Sequence, residues 1–118
     1  MVNTCSFIED AREESVDTIL DLAQEKTKSG AQKKLVVSGC LVQRYEEELR
    51  TEIPEVDLFL GTGDHWRIGE VLEKEKTSKG PQSFVGKPGY NYGALSPRIQ
   101  TTQGWTSYVK IAEGCSQR

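Results

Sequence analysis

The sequence predicts an α/β fold, a small open parallel sheet with flanking helices. Over residues 1–75, short apolar and β-branched runs alternate with longer segments whose apolar residues recur at helical period. Strands separated by helices of that length pair in parallel through right-handed crossovers. A chain of 118 residues with 28% charged residues can bury one core, and its polar C-terminal part confines that core to residues 1–75.

The first predicted elements are the end of a strand and a long helix. The strand covers Met1 to Asn3, and the segment Ser6-Phe7-Ile8-Glu9 has the pattern of a capping box, in which a serine and a glutamate satisfy the first amides of a helix. Apolar residues from Ile8 to Ala23 then follow the helical period. We expect Gly30 to end this helix.

Two more strands and two more helices follow. Leu35 to Val37 is predicted to be a buried strand, and the next helix carries Val42, Tyr45 and Leu49 on one face until Pro54 stops it. The remaining elements are a strand at 56–60, a turn at Gly61-Thr62-Gly63, and a helix with the apolar stripe Ile68, Val71 and Leu72.

The composition changes after residue 75 to Lys, Ser, Gly, Pro and Thr. We therefore divide the chain into a domain at 1–75, an irregular linker at 76–106 and a final segment at 107–118. No packed core is expected in the linker. In the final segment, Tyr108 to Ala112 resumes an alternating strand pattern.

Three cysteines are the candidate site residues. Cys5 and Cys40 each follow a predicted strand and lie at or near the start of the next helix. Because parallel strands present their carboxyl ends at one sheet edge, we expect these two thiols to lie close together. Unpaired amides at a helix N-terminus can donate hydrogen bonds to a cluster that such thiols hold. Gly39 would let the backbone approach a bulky ligand, but it could equally serve the turn geometry.

The number and spacing of the cysteines disfavour a disulfide framework. There are three, Cys5, Cys40 and Cys115, and they lie far apart in a chain without a secretion signal. Spacing alone leaves two interpretations open, metal or redox ligands on the one hand and buried inert thiols on the other.

The residues around the three cysteines carry a family resemblance. The segments are Val2-Asn3-Thr4-Cys5, Ser38-Gly39-Cys40-Leu41 and Ala112-Glu113-Gly114-Cys115. In this order they resemble the methylthiotransferase family of radical-SAM iron–sulfur enzymes, and the resemblance covers nearly the whole chain. Flanking residues at 6–15, 41–45, 54–57, 61–64 and 68–71 are closer to the ribosomal-protein branch (RimO type) than to the tRNA-modifying branch (MiaB type).

The resemblance implies a set of cluster ligands. Cys5 and Cys40 match two of three cysteines that hold an auxiliary 4Fe-4S cluster, and Cys115 matches the first cysteine of the C-x-x-x-C-x-x-C motif that holds a catalytic 4Fe-4S cluster in the intact protein. Family domains begin about a strand and a helix earlier. We therefore expect a fragment that lacks this strand and helix, ends on the first strand of a radical-SAM barrel, and is inactive alone.

The resemblance also implies a reaction. The intact enzyme would cleave S-adenosyl-L-methionine reductively with an electron donor, and the resulting radical would abstract hydrogen from the β-carbon of an aspartate in a small-subunit ribosomal protein. The auxiliary cluster would deliver the methylated sulfur to that carbon. Two alternatives stay open: the same chemistry on a tRNA adenosine, and a stand-alone, flavodoxin-like α/β binding domain with unligated thiols.

The sequence composition bears on the cellular location and on contact with membranes or nucleic acids. Its start has no signal-peptide pattern, and no apolar run reaches the roughly 20 residues of a membrane helix. We expect a cytoplasmic protein without membrane contact, and a net charge of -3 predicts no nucleic-acid contact from this portion. His65 is expected to be capping or exposed rather than a ligand, and Trp66 and Trp105 could serve an interface or a core equally well.

Overall fold

The computed structural model describes residues 1–29, 33–75, 80–87, 89 and 99–109. Four parallel strands form one sheet in the order β1-β2-β3-β4. The strands are β1 (Val2–Thr4), β2 (Val36–Gly39), β3 (Leu58–Leu60) and β4 (Gln82–Phe84). The helices are α1 (Glu9–Lys28), α2 (Cys40–Glu52) and α3 (Ile68–Glu75), and a 3₁₀ turn at His65–Arg67 precedes α3. The predicted α/β class is confirmed.

Packing on both faces of the sheet explains why β2 is buried throughout. Val37 and Phe59 point to the face covered by α1 and α2, where they share a cluster with Ile19 and Val42. Val36, Leu58 and Leu60 of the same strands point to the other face, where they pack with Val71 of α3. A parallel strand covered on both sides tends to be a continuous apolar run, as Val36-Val37 at the start of β2 and Leu58–Leu60 in β3 show.

An ion pair ties α1 to the start of β2 and β3. Lys26 Nζ lies 2.6 Å from Asp57 Oδ2, and the Leu35 amide donates to the same oxygen at 2.7 Å. Lys34 Nζ is 3.6 Å from the other carboxylate oxygen. Partial burial raises the pKa of Asp57, but the hydrogen bonds from Lys26 and Leu35 and the two ammonium charges outweigh it, so this pKa is lower than usual. Lys26, in the last turn of α1, therefore pairs with a specific carboxylate.

The capping box predicted at Ser6 is wrong. Helix α1 begins at Glu9, and Ile8 occupies the N-cap position without a side-chain cap. Ser6 therefore precedes the cap by two residues, and it is buried rather than turned to the helix amides. At the other end, α1 stops at Lys28 with Ser29 as its C-cap, and Gly30 lies outside the described residues.

The segment predicted as an irregular linker contains β4. Gln82–Phe84 pairs in parallel with β3, and the Gly61 amide donates to Phe84 O at 2.8 Å. The Ser83 hydroxyl donates to the carboxylate of Glu46 on α2. The expectation of an irregular segment without a packed core is therefore wrong for this strand, because Phe84 packs against the cluster that contains Val36 and Leu58. The sequence did not predict this strand because Gln82 and Ser83 are polar and give no apolar pattern. The strand forms through backbone hydrogen bonds to the edge of β3, which do not depend on side-chain type.

The final segment does not show its predicted strand in the part that is described. Tyr108 and Val109 are exposed and non-helical, without strand pairing, and residues 110–112 lie outside the described residues. The division into 1–75, 76–106 and 107–118 stays a prediction. Among the described helices, no segment has the length and apolar character needed to cross a membrane.

Candidate functional site

Cys5 and Cys40 lie at the carboxyl edge of two adjacent strands. Cys5 directly follows β1, and Cys40 directly follows β2 as the first residue of α2. Thr4 and Gly39, which precede them, are paired across the sheet. Adjacent strands are about 4.8 Å apart, so the backbones of the two cysteines leave the sheet side by side.

Both thiols are accessible. Cys5 and Cys40 are free and exposed, whereas an unligated cysteine in a folded domain is usually among its most buried residues. The interpretation of these two residues as buried inert thiols is therefore wrong. Cys115 lies outside the described residues.

Gly39 lets α2 start directly against β1. Its φ of 111 and ψ of -161 belong to a region that only glycine adopts readily. A Cβ on Gly39 would stand 2.9 Å from Thr4 N and closer still to Thr4 O. The close approach is thus to the backbone of the neighbouring strand, which is sufficient to explain this glycine.

Thr4 fixes the two strand ends to each other. Its hydroxyl is buried and donates to Ser38 O at 2.6 Å. This bond and the close approach of Gly39 to Thr4 keep the ends of β1 and β2 side by side. Cys5 and Cys40, the next residue on each strand, therefore start from neighbouring positions. The residues that precede the two cysteines are therefore buried, and the Thr4 hydroxyl and the Ser38 carbonyl among them are hydrogen-bonded to each other.

Ser15 of α1 contacts the backbone of Cys5. The Cys5 amide donates to Ser15 Oγ at 3.2 Å, and the same oxygen is 3.3 Å from Cys5 O. Ser15 also donates to Ala11 O one turn earlier, at 2.7 Å. Sequence reasoning gave Ser15 no role, because a serine inside a helical period signals nothing about a strand end ten positions away.

Gln43 joins the loops after β3 and β4 at the same edge. It lies in the first turn of α2, and its Oε1 accepts the Thr62 amide at 3.0 Å while its Nε2 donates to Gly86 O at 3.2 Å. A Cβ on Gly61 would come within 2.5 Å of Gln43 Oε1, so glycine makes this contact possible. The Asp64 amide closes the predicted turn by donating to Gly61 O at 3.2 Å.

His65, Trp66 and Trp105 are not among the buried core residues of the described part of the chain. His65 starts the 3₁₀ turn, and its Nε2 is buried without a hydrogen-bond partner among the described residues. Trp66 and Trp105 are 54% and 83% exposed, so neither packs in the core. Within the described ranges, no three His, Cys, Asp or Glu side chains come together as a metal site.

The donor set fits part of an iron–sulfur site. Cys5 and Cys40 offer two accessible sulfur ligands, the type that iron–sulfur clusters require. The first amides of α2 have no partners within the helix and point to the same edge. Two thiols are fewer than the three ligands implied by the resemblance, so the described residues supply an incomplete set.

The chain matches known proteins over its full extent. The model of the family described as "Uncharacterized protein family UPF0004" matches residues 1–61. The chain is 53% identical over 116 residues, 98% of its length, to a protein of Trichlorobacter lovleyi named "Ribosomal protein uS12 methylthiotransferase RimO", and covers 26% of that relative. Proteins of the same name from Pelobacter propionicus and Myxococcus xanthus are 49% and 51% identical, with 100% and 98% of this chain and 26% and 23% of the relative covered. The chain thus spans about a quarter of the length of these relatives.

Proposed function

Because the chain belongs to the UPF0004 family, we propose that it works as part of a radical-SAM methylthiotransferase that modifies ribosomal protein uS12. The observation that carries this proposal is the identity of 48% to 53% across nearly the whole chain with proteins of that name. This name favours the ribosomal-protein branch over tRNA modification. The acceptor is the β-carbon of an aspartate, as the resemblance implies.

Cys5 and Cys40 are two of the three protein ligands of an auxiliary 4Fe-4S cluster in this proposal. Their accessible thiols and their position on adjacent strand ends support it. The third ligand comes from a part of the enzyme outside this chain. Cys115 is the first ligand of the catalytic 4Fe-4S cluster in the intact protein.

The described residues build one wall of the cluster site. Contacts of Gly39 and Thr4 keep the ends of β1 and β2 side by side. Gln43 accepts a hydrogen bond from the Thr62 amide and so binds the loop after β3 to the same sheet edge. The chemistry supplied by the bound groups is sulfur delivery from the auxiliary cluster and reductive cleavage of S-adenosyl-L-methionine at the catalytic cluster. The partners are the uS12 substrate and an electron donor, and the working protein is cytoplasmic, without membrane or nucleic-acid contact from this portion.

A chimera tests the proposal, with this chain replacing the matching segment of the Trichlorobacter lovleyi relative. After anaerobic reconstitution we expect two 4Fe-4S clusters and methylthiolation of uS12, detected by mass spectrometry. Cys5→Ala or Cys40→Ala should remove the iron of one cluster, and Cys115→Ala the iron of the other. Iron content unchanged by both Cys5→Ala and Cys40→Ala would refute the ligand assignment, and a fully loaded chimera that leaves uS12 unmodified would refute the substrate.

A further inference from the structure

We infer that Ser15 is a positioning residue for Cys5, which holds the backbone of this thiol in the geometry that the shared site with Cys40 requires. The inference rests on the proposed function. Cys5 lies outside both elements, directly after β1 and four residues before α1 begins at Glu9. Backbone groups outside regular structure need other partners to stay in one position.

The hydrogen bonds of Ser15 define its role. A serine hydroxyl carries one proton and can accept two further hydrogen bonds. The shortest contact is to Ala11 O at 2.7 Å, so the proton goes there and the lone pairs are free for the Cys5 amide at 3.2 Å. This bond inside α1 fixes the orientation of the hydroxyl that accepts the Cys5 amide.

The two cysteines are held by different means. Cys40 belongs to α2, and Gly39 places that helix against Thr4. For Cys5, the preceding residue Thr4 is held to β2 by its hydroxyl, and the amide of Cys5 itself donates to the hydroxyl of Ser15. Loss of Ser15 would therefore change the position of Cys5 and leave Cys40 in place.

Matched variants of α1 isolate this contact. Ser15→Ala removes the acceptor, and Ser15→Thr retains a hydroxyl. Thr18→Ala is the control, because Thr18 Oγ1 donates to Glu14 O at 2.7 Å in the same helix without a contact to Cys5. Alanine favours helices, so Ser15→Ala and Thr18→Ala should fold. Ser15→Thr should fold as well, because serine and threonine have similar helix propensities.

Amide hydrogen exchange measures the contact directly. One hydrogen bond corresponds to a roughly threefold to tenfold change in an equilibrium. We expect Ser15→Ala to speed exchange at the Cys5 amide by about that factor and to leave the Val37 amide in β2 unchanged. Ser15→Thr should restore slow exchange, and Thr18→Ala should have no effect.

Binding of Cd²⁺ to the complete chain tests the consequence for the site. With Cys115→Ser as the background, thiolate-to-Cd²⁺ absorbance reports a site made by Cys5 and Cys40. Ser15→Ala should weaken Cd²⁺ affinity roughly threefold to tenfold, and Ser15→Thr should return it to within about twofold. Equal Cd²⁺ affinity and equal Cys5 exchange in Ser15→Ala and Thr18→Ala would overturn the inference and leave the proposed function standing. If Cys40→Ala does not weaken Cd²⁺ binding, the shared site itself fails, and the inference fails with it.

Discussion

Gly39→Ala should destabilise the fold by several kcal/mol, because two separate costs add at this residue. The first is conformational, since its φ of 111 and ψ of -161 lie where other residues carry about 1–3 kcal/mol of strain. The second is steric, since the new Cβ would come within 2.9 Å of Thr4 N and closer to Thr4 O. Those are backbone atoms, so β1 itself must move, and such overpacking costs about 1–3 kcal/mol more.

The sum, roughly 2–6 kcal/mol, is a large part of the stability of a small domain, which is about 5–15 kcal/mol. Urea denaturation followed by circular dichroism measures it. Gly69→Ala is the matched control: Gly69 lies in α3, has no atom within 4 Å of its Cβ position, and should gain about 0.5–1 kcal/mol as alanine. If the free energy of unfolding of Gly39→Ala lies within about 0.5 kcal/mol of that of the parent chain, the close packing of Gly39 on β1 is refuted.

Three further predictions concern the packing and the site. Asp57→Asn should cost about 1–3 kcal/mol because the Lys26 ammonium loses its carboxylate partner and retains the neutral acceptor Glu55 O. The pKa of Asp57 is lowered, so its contribution is present at neutral pH and lost as the pH falls below about 4; urea curves of parent and variant that fail to converge in acid would contradict this. Gln43→Ala should lower the free energy of unfolding by about 1–2 kcal/mol and speed hydrogen exchange at the Thr62 amide. Gln24→Ala, at an exposed residue, is the control. Unchanged exchange at Thr62 in Gln43→Ala would contradict the hydrogen bond between Gln43 and this amide. The chain alone should retain no stable cluster after anaerobic reconstitution, and stoichiometric retention of a 4Fe-4S cluster would contradict the incomplete ligand set.

The structure places Cys5 and Cys40 at one sheet edge, as predicted, and supports them through contacts that the sequence did not indicate. The strand patterns of the sequence were enough to put Cys5 and Cys40 on one sheet edge, because parallel strands joined by helices end on the same side. The sequence did not indicate Ser15 or Gln43. Both act through single hydrogen bonds to backbone that is remote along the chain, and such bonds leave no periodic pattern.

The sequence by itself determined the elements with strong local signals. The apolar runs of β2 and β3 and the amphipathic periods of α1 to α3 appear where they were predicted, because burial on one face or two imposes a repeating pattern on the residues. Only the tertiary structure decided the start of α1, the existence of β4 and the reason for Gly39. Each of these depends on which backbone groups meet across the sheet, and a backbone group has the same chemistry whichever residue carries it.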